Sequence, residues 1–84
     1  MKVRVEAVVA GRGVVLARPV EKGALLATPR ATLAGKRVVH FELPRKLKGD
    51  GSGAVDMELV GFVLAEAGDV AGFEVGAVVE YRDE

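Results

Sequence analysis

The fold is decided by residues 2–17, which read KVRVEAVVAGRGVVLA. Charged and apolar side chains alternate from Lys2 to Ala7. A period of two predicts a strand with one face in the core. Gly11-Arg12-Gly13 then predicts a three-residue hairpin loop, and residues 14–17 form the returning strand. The stretch therefore indicates an antiparallel sheet.

The same analysis along the chain predicts further strands at residues 24–27, 37–43 and 77–82. Residues 54–67 are ambiguous, because their Leu, Met, Ala and Glu favour helix while the alternation from Val55 to Leu59 favours a long bent strand. We expect one domain, residues 1–84, forming an all-β, six-stranded, mostly antiparallel barrel with at most one short helical turn. The alternative is an α+β fold in which residues 54–67 are helical.

Two other segments carry local signals. Thr28-Pro29 is typical of a helix start and Gly35 of a helix end, so we expect one helical turn at residues 29–34. Residues 44–53 combine a basic cluster with three glycines and predict a mobile hairpin loop. The predicted core is apolar on the inward face of each strand and comprises Val3, Val5, Val15, Leu25, Val39, Phe41, Leu59, Phe62, Leu64, Val79 and Tyr81.

The charges separate along the chain although the net charge is zero. Residues 1–48 hold eleven bases and three acids, a formal charge of +8, and residues 49–84 hold nine acids and one base, a charge of −8. In a barrel the two halves lie side by side, so cross-strand ion pairs can consume much of this charge. Otherwise the basic half is available to a partner.

Residues that could perform catalysis are scarce. Cysteine is absent, which excludes disulfides, thiolate metal sites and a cysteine nucleophile. His40 lies in the middle of a predicted strand, and the only serine, Ser52, lies in the glycine-rich loop. Residues 50–61 lack the glycine and the bidentate glutamate of a calcium loop, and the Asp56/Glu58 pair is typical of a solvent-facing strand. We therefore expect no enzyme activity, cofactor or metal.

The basic residues are the best functional lead. Contacts with phosphate need Lys and Arg clustered on one surface, and the scarcity of aromatic residues favours contacts with the nucleic-acid backbone over base stacking. A surface on which these cations are ion-paired with acids is an equally open alternative. The candidate phosphate or RNA contacts are Lys2, Arg4, Arg12, Lys36, Arg37, Arg45, Lys46 and Lys48.

A local resemblance agrees with a barrel. Residues 11–15, Gly-Arg-Gly-Val-Val, followed by residues 20–23, Val-Glu-Lys-Gly, are similar to a segment in the second, β-barrel domain of elongation-factor GTPases. The resemblance covers residues 11–26 and implies a barrel fold, while no GTPase domain accompanies it and Thr28-Pro29 departs from the pattern. It assigns no functional residue.

These observations lead to two expectations of function. The first is a non-catalytic binding module that assembles with itself or with another protein, because unlike charged surfaces of two copies can meet. The second is an RNA- or ribosome-associated protein that contacts phosphates through its basic half. We expect no membrane partner and a soluble, cytoplasmic protein, since no signal-peptide pattern opens the chain. The absence of Cys, Asn and Gln is typical of a thermophilic source.

Overall fold

Six strands close into an antiparallel barrel in the computed structural model, which describes residues 1–21, 25–26, 28–42 and 59–83. Their order around the barrel is β1-β2-β5-β4-β3-β6. The all-β, six-stranded prediction is confirmed, and the α+β alternative is wrong because residues 60–64 form a strand. The strands are β1 (Lys2–Val9), β2 (Val14–Pro19), β3 (Thr32–Leu33), β4 (Lys36–Glu42), β5 (Val60–Leu64) and β6 (Val78–Arg82).

The pairing of strands brings the two halves of the chain together. Of the six described pairings, β1–β6, β2–β5, β3–β6 and β4–β5 join a strand from residues 1–48 to one from residues 49–84. The basic front half therefore lies alongside the acidic rear half, as the barrel prediction requires.

The β1–β2 hairpin is confirmed, with a slightly longer loop than predicted. Val9 pairs with Val14, so the loop has four residues: the 3-10 helix Ala10–Arg12 and Gly13. Gly13 has a left-handed backbone (φ 67°), and a Cβ there would lie 2.9 Å from the Cα of Ala67. Glycine is required because the loop packs directly on a second 3-10 helix, Ala67–Gly72.

Strand β4 contains a β-bulge that changes which side chains face the core. The register shifts between Val38 and His40, so Val39 and His40 are both exposed and Phe41 returns toward the interior. The prediction of Val39 as a core residue is wrong: its side chain is 53% exposed, and Val38 is buried instead. A pattern in which every second residue faces the core does not account for the extra residue that a bulge adds.

Strand β3 corrects two other predictions. The helical turn expected at residues 29–34 is wrong, because Thr32–Leu33 is a strand followed by a two-residue hairpin turn. Ala34 and Gly35 both have positive φ, 51° and 83°, as in a type I′ turn, so Gly35 closes a hairpin and does not end a helix. The third strand, expected at residues 24–27, is absent at Leu25 and Leu26, and residues 24 and 27 lie outside the described residues.

The core otherwise follows the predicted inward faces. Seven of the predicted residues are buried, and Leu25, Phe41 and Val79 are partly buried and pack against them. The rings of Phe41, Phe62 and Tyr81 contact one another, with centroids 5.2–5.6 Å apart. The confirmed buried residues are Val3, Val5, Val15, Leu59, Phe62, Leu64 and Tyr81.

Several predictions concern segments for which no structure is described. The loop at residues 44–53 and the first part of the bent strand, residues 54–58, lie outside the described residues. Residues 67–72 form the second 3-10 helix. In the described ranges, no helix has the length and apolar content needed to span a membrane.

Candidate functional site

Two arginines of the β1–β2 hairpin bind one glutamate on β1. Arg4 and Arg18 lie opposite each other on β1 and β2, and both donate to Oε1 of Glu6 at 3.0 Å. Hydrogen bonds from Arg4 and then Arg18 hold the pKa of Glu6 below its ordinary value. Because one carboxylate separates two guanidinium groups, Arg4 is already engaged within the fold.

Two other members of the predicted phosphate-binding set are also paired. Arg12, on the first 3-10 helix, donates through Nη2 to both carboxylate oxygens of Glu42 at 2.8 and 3.1 Å. Nζ of Lys36 lies 3.9 Å from Oδ1 of Asp69. These contacts belong to the ion-paired surface that the sequence left as an alternative.

Two arginines on the opposite side of the barrel stand apart from these pairs. Thr32 of β3 pairs with Arg37 on β4 and with Arg82 on β6. Directly opposed residues share a face of the sheet, so both arginines and Thr32 lie on the outer face. Both arginines are exposed, and within the described residues neither guanidinium has a hydrogen bond or an ion pair. Arg30, also exposed, lies two residues before Thr32; we call Arg30, Arg37 and Arg82 the arginine face.

A pocket of about 310 Å³ adjoins the arginine face. Its walls come from the segment leading into β3 and from the bulged part of β4, which places Val39 and His40 on the outer face. The hydroxyl of Thr28 donates to the carbonyl oxygen of Asp83 and ties this segment to the end of β6. The pocket, which we call the β4 groove, has apolar walls and a cationic edge and is lined by Thr28, Pro29, Ala31, Arg37, Val38, Val39 and His40.

An acidic turn lies at the other end of β6. The backbone N–H of Ala77 donates to the carbonyl of Glu74 at 3.1 Å, and Gly76 has a φ of 90°, as in a type II turn. The turn is tied to β1, since Gly76 N–H donates to the carbonyl of Val5 at 2.7 Å. Glu74 is exposed, and Val75 at its tip is 68% exposed. We call residues 74–77 the Glu74 turn.

The predicted phosphate contacts are distributed over several elements. Lys2 is exposed on β1, opposite Glu80 of β6, and Arg37 belongs to the arginine face. Arg4, Arg12 and Lys36 are ion-paired, and Arg45, Lys46 and Lys48 lie outside the described residues. Arg30 and Arg82 of the arginine face are not among the predicted phosphate contacts. Arg82 could have been singled out from the sequence because it is the only base in residues 49–84.

The described residues offer little for catalysis or metal binding. His40 is 59% exposed, and its Nε2 lies 3.9 Å from a Glu42 oxygen that already accepts from Arg12. In residues 1–21, 25–26, 28–42 and 59–83, no three His, Cys, Asp or Glu side chains group closely enough to hold a metal ion. The arginine face and the β4 groove together present exposed cations beside an apolar pocket.

Comparison with known proteins adds no assignment. No protein-family model, no curated protein and no solved structure matches this chain. The function is therefore inferred from the geometry and charges of the site itself.

Proposed function

We propose that this protein is a non-catalytic binding module that assembles with a second copy of itself or with another protein. The observation that carries the proposal is the arginine face beside the β4 groove: exposed cations without an acidic partner among the described residues, next to an apolar pocket. Depressions of this kind, with apolar walls and a few charged groups, are typical of binding sites. Arginine is well suited to them because its planar guanidinium binds carboxylates through two parallel hydrogen bonds.

The distribution of charge favours a protein that associates with other molecules over one that remains a monomer. The net charge is zero, so no overall repulsion opposes contact between copies. Arg4, Arg12 and Arg18 each bind a glutamate of the same barrel. Arg37 and Arg82 at one end of the barrel and Glu74 at the other are exposed, and none of the three has an ion pair among the described residues. A molecule with unlike ends can bind other copies or partners with complementary charge.

Sedimentation velocity at low and high salt tests this function. We expect association at micromolar protein in low salt, weakened by high salt, because exposed ion pairs are screened. A species that remains a monomer at every salt concentration, alone and with candidate partner proteins, contradicts the proposal.

RNA binding is the second candidate, favoured by the exposed side chains of Lys2 and Arg37. Binding to phosphates should weaken by roughly one power of the salt concentration for each phosphate neutralised. Retention on heparin at low salt is the expected result. A protein that passes through the column unretained excludes this candidate.

The thermophilic source and the cytoplasmic location stay predictions. For a thermophilic source we expect a thermal unfolding midpoint above the range of mesophile domains, about 45–65 °C. Calorimetry of the purified chain measures it, and a midpoint inside that range contradicts the compositional argument.

A further inference from the structure

We propose that the Glu74 turn of one copy docks into the β4 groove of the next copy. Glu74 then binds Arg37 and Arg82, and Val75 enters the apolar part of the groove. The inference rests on the proposed function and names both surfaces of the contact.

The Glu74 turn has the properties of a preformed protrusion. Its type II geometry is held by the Ala77–Glu74 hydrogen bond, and its position by the bond from Gly76 to Val5. Among the large hydrophobic residues that the structure describes, Val75 is the most exposed, at 68%. An apolar side chain at the tip of an ordered turn loses little conformational freedom on binding, so its burial contributes directly to affinity.

The β4 groove complements this protrusion. Its volume of about 310 Å³ equals that of about ten water molecules, at roughly 30 Å³ each, and is large enough for a valine side chain. Pro29, Ala31, Val38 and Val39 supply apolar walls. Arg37 stands at the edge of the groove, where a neighbouring glutamate carboxylate can receive two hydrogen bonds.

The two surfaces lie at opposite ends of one strand. β6 separates the Glu74 turn from Arg82, and the four steps from Val78 to Arg82 at about 3.3 Å each span roughly 13 Å. Because β6 is hydrogen-bonded to β1 and β3, it holds the turn and Arg82 apart within one barrel. The contact is therefore between copies and head-to-tail, which produces a ring if the rotation closes and a filament if it does not.

A second copy explains more of these observations than nucleic acid does. Phosphates of a nucleic acid would bind the arginines, but they would make no contact with the apolar walls of the groove or with the exposed Val75. In the described residues, the rings of Phe41, Phe62 and Tyr81 pack on one another in the barrel, so they present no stacking platform to bases.

The experiment uses two variants that each lose one side of the contact. Arg37→Gln/Arg82→Gln removes the cations of the groove, and Glu74→Gln/Val75→Ser removes the protrusion. Each variant alone should stay a monomer at a concentration where the wild type associates. Mixed in equal amounts they should form a dimer and nothing larger, because the first variant keeps its turn and the second keeps its groove. The single change Arg37→Gln should weaken association about fivefold, the upper range for an exposed ion pair.

A control variant removes one negative charge elsewhere. Glu66→Gln changes an exposed side chain outside both surfaces and should associate as the wild type does. Circular dichroism should show the same strand signal for every variant, because all the substituted residues are exposed.

The remaining outcomes separate this inference from the proposed function. If the wild type associates but either double variant associates equally well, or if the mixture gives no dimer, the docking of the Glu74 turn is overturned while the binding function stands. A wild type that is monomeric at all salt concentrations overturns the docking directly. If that monomer binds a single-stranded uridine oligonucleotide through Arg37 and Arg82, the groove is a nucleic-acid site and the inference is wrong.

Discussion

The arginines of β1 and β2 and those of β4 and β6 have different surroundings although they lie on one barrel. Arg4 and Arg18 share Glu6, which lies on the same sheet face, whereas Arg37 and Arg82 flank the neutral Thr32. The net charge of a segment therefore does not show which of its cations are free to bind a partner. The acid that lies beside each arginine after folding decides whether it stabilises the barrel or remains exposed to a partner.

The largest effect is expected from breaking the hairpin that carries Arg12. Gly13→Ala should lower the free energy of unfolding by about 1–3 kcal/mol, because the left-handed backbone disfavours a side chain and the new Cβ would meet Ala67 at 2.9 Å. Gly11→Ala, in the same loop with nothing within 4 Å, is the matched control and should change stability little. Urea unfolding of both variants measures the difference; equal effects would show that Gly13 is not required.

The next largest effect on stability is expected at Glu6, the carboxylate that Arg4 and Arg18 share. Glu6→Gln should lower the unfolding midpoint at neutral pH, because Arg4 and Arg18 lie opposite each other and lose the carboxylate that they share. Glu74→Gln removes the same charge from an exposed turn and should leave stability unchanged. Thermal unfolding of the two variants compares the regions directly, and similar midpoints would contradict the distinction.

The pH dependence of that effect follows from the lowered pKa of Glu6. A carboxyl whose pKa is lower in the folded state stabilises the fold above its unfolded pKa, and this contribution is lost as the pH falls through the folded pKa. The difference in stability between the wild type and Glu6→Gln should therefore shrink on acidification below the ordinary pKa of 4.5. A difference that stays constant from neutral pH into acid would mean that the ionised form of Glu6 is not what matters.

A smaller effect is expected for the Arg12–Glu42 pair. A double-mutant cycle with Arg12→Gln and Glu42→Gln should give a coupling of about 0.2–1 kcal/mol, since Arg12 is 64% exposed and its contact, from one guanidinium nitrogen to both carboxylate oxygens, is partly screened. The same cycle between Arg37 and Glu42 provides the comparison, and we expect no coupling there. Coupling of equal size in both cycles would remove the contrast between paired and unpaired arginines.

The smallest effect on stability is expected on the arginine face. Arg37→Gln and Arg82→Gln should each change the free energy of unfolding by less than about 0.5 kcal/mol, because neither side chain has a described partner to lose. Chemical unfolding measures this. A large loss of stability would show that these arginines support the barrel and are not reserved for binding.

The strands were predictable where alternation is uninterrupted. Val3 and Val5 on β1 are buried as the alternation from Lys2 to Ala7 predicts. The prediction failed at Val39, where the β4 bulge adds a residue, and at Thr32–Leu33, where a two-residue strand is too short to show any periodicity. The candidate site lies where these two predictions failed, because the bulge shapes the groove and β3 places Arg37 and Arg82 on either side of Thr32.

The antiparallel sheet follows from the sequence, because side-chain alternation and turn residues act over a few positions and can be recognised in order along the chain. The pairing of the charges depends on the folded barrel. Arg12 meets Glu42 thirty residues away, and Arg82 comes to the side of Arg37 through Thr32. Electrostatic contacts depend on distance in space, and the strand order that sets those distances emerges only when the barrel closes.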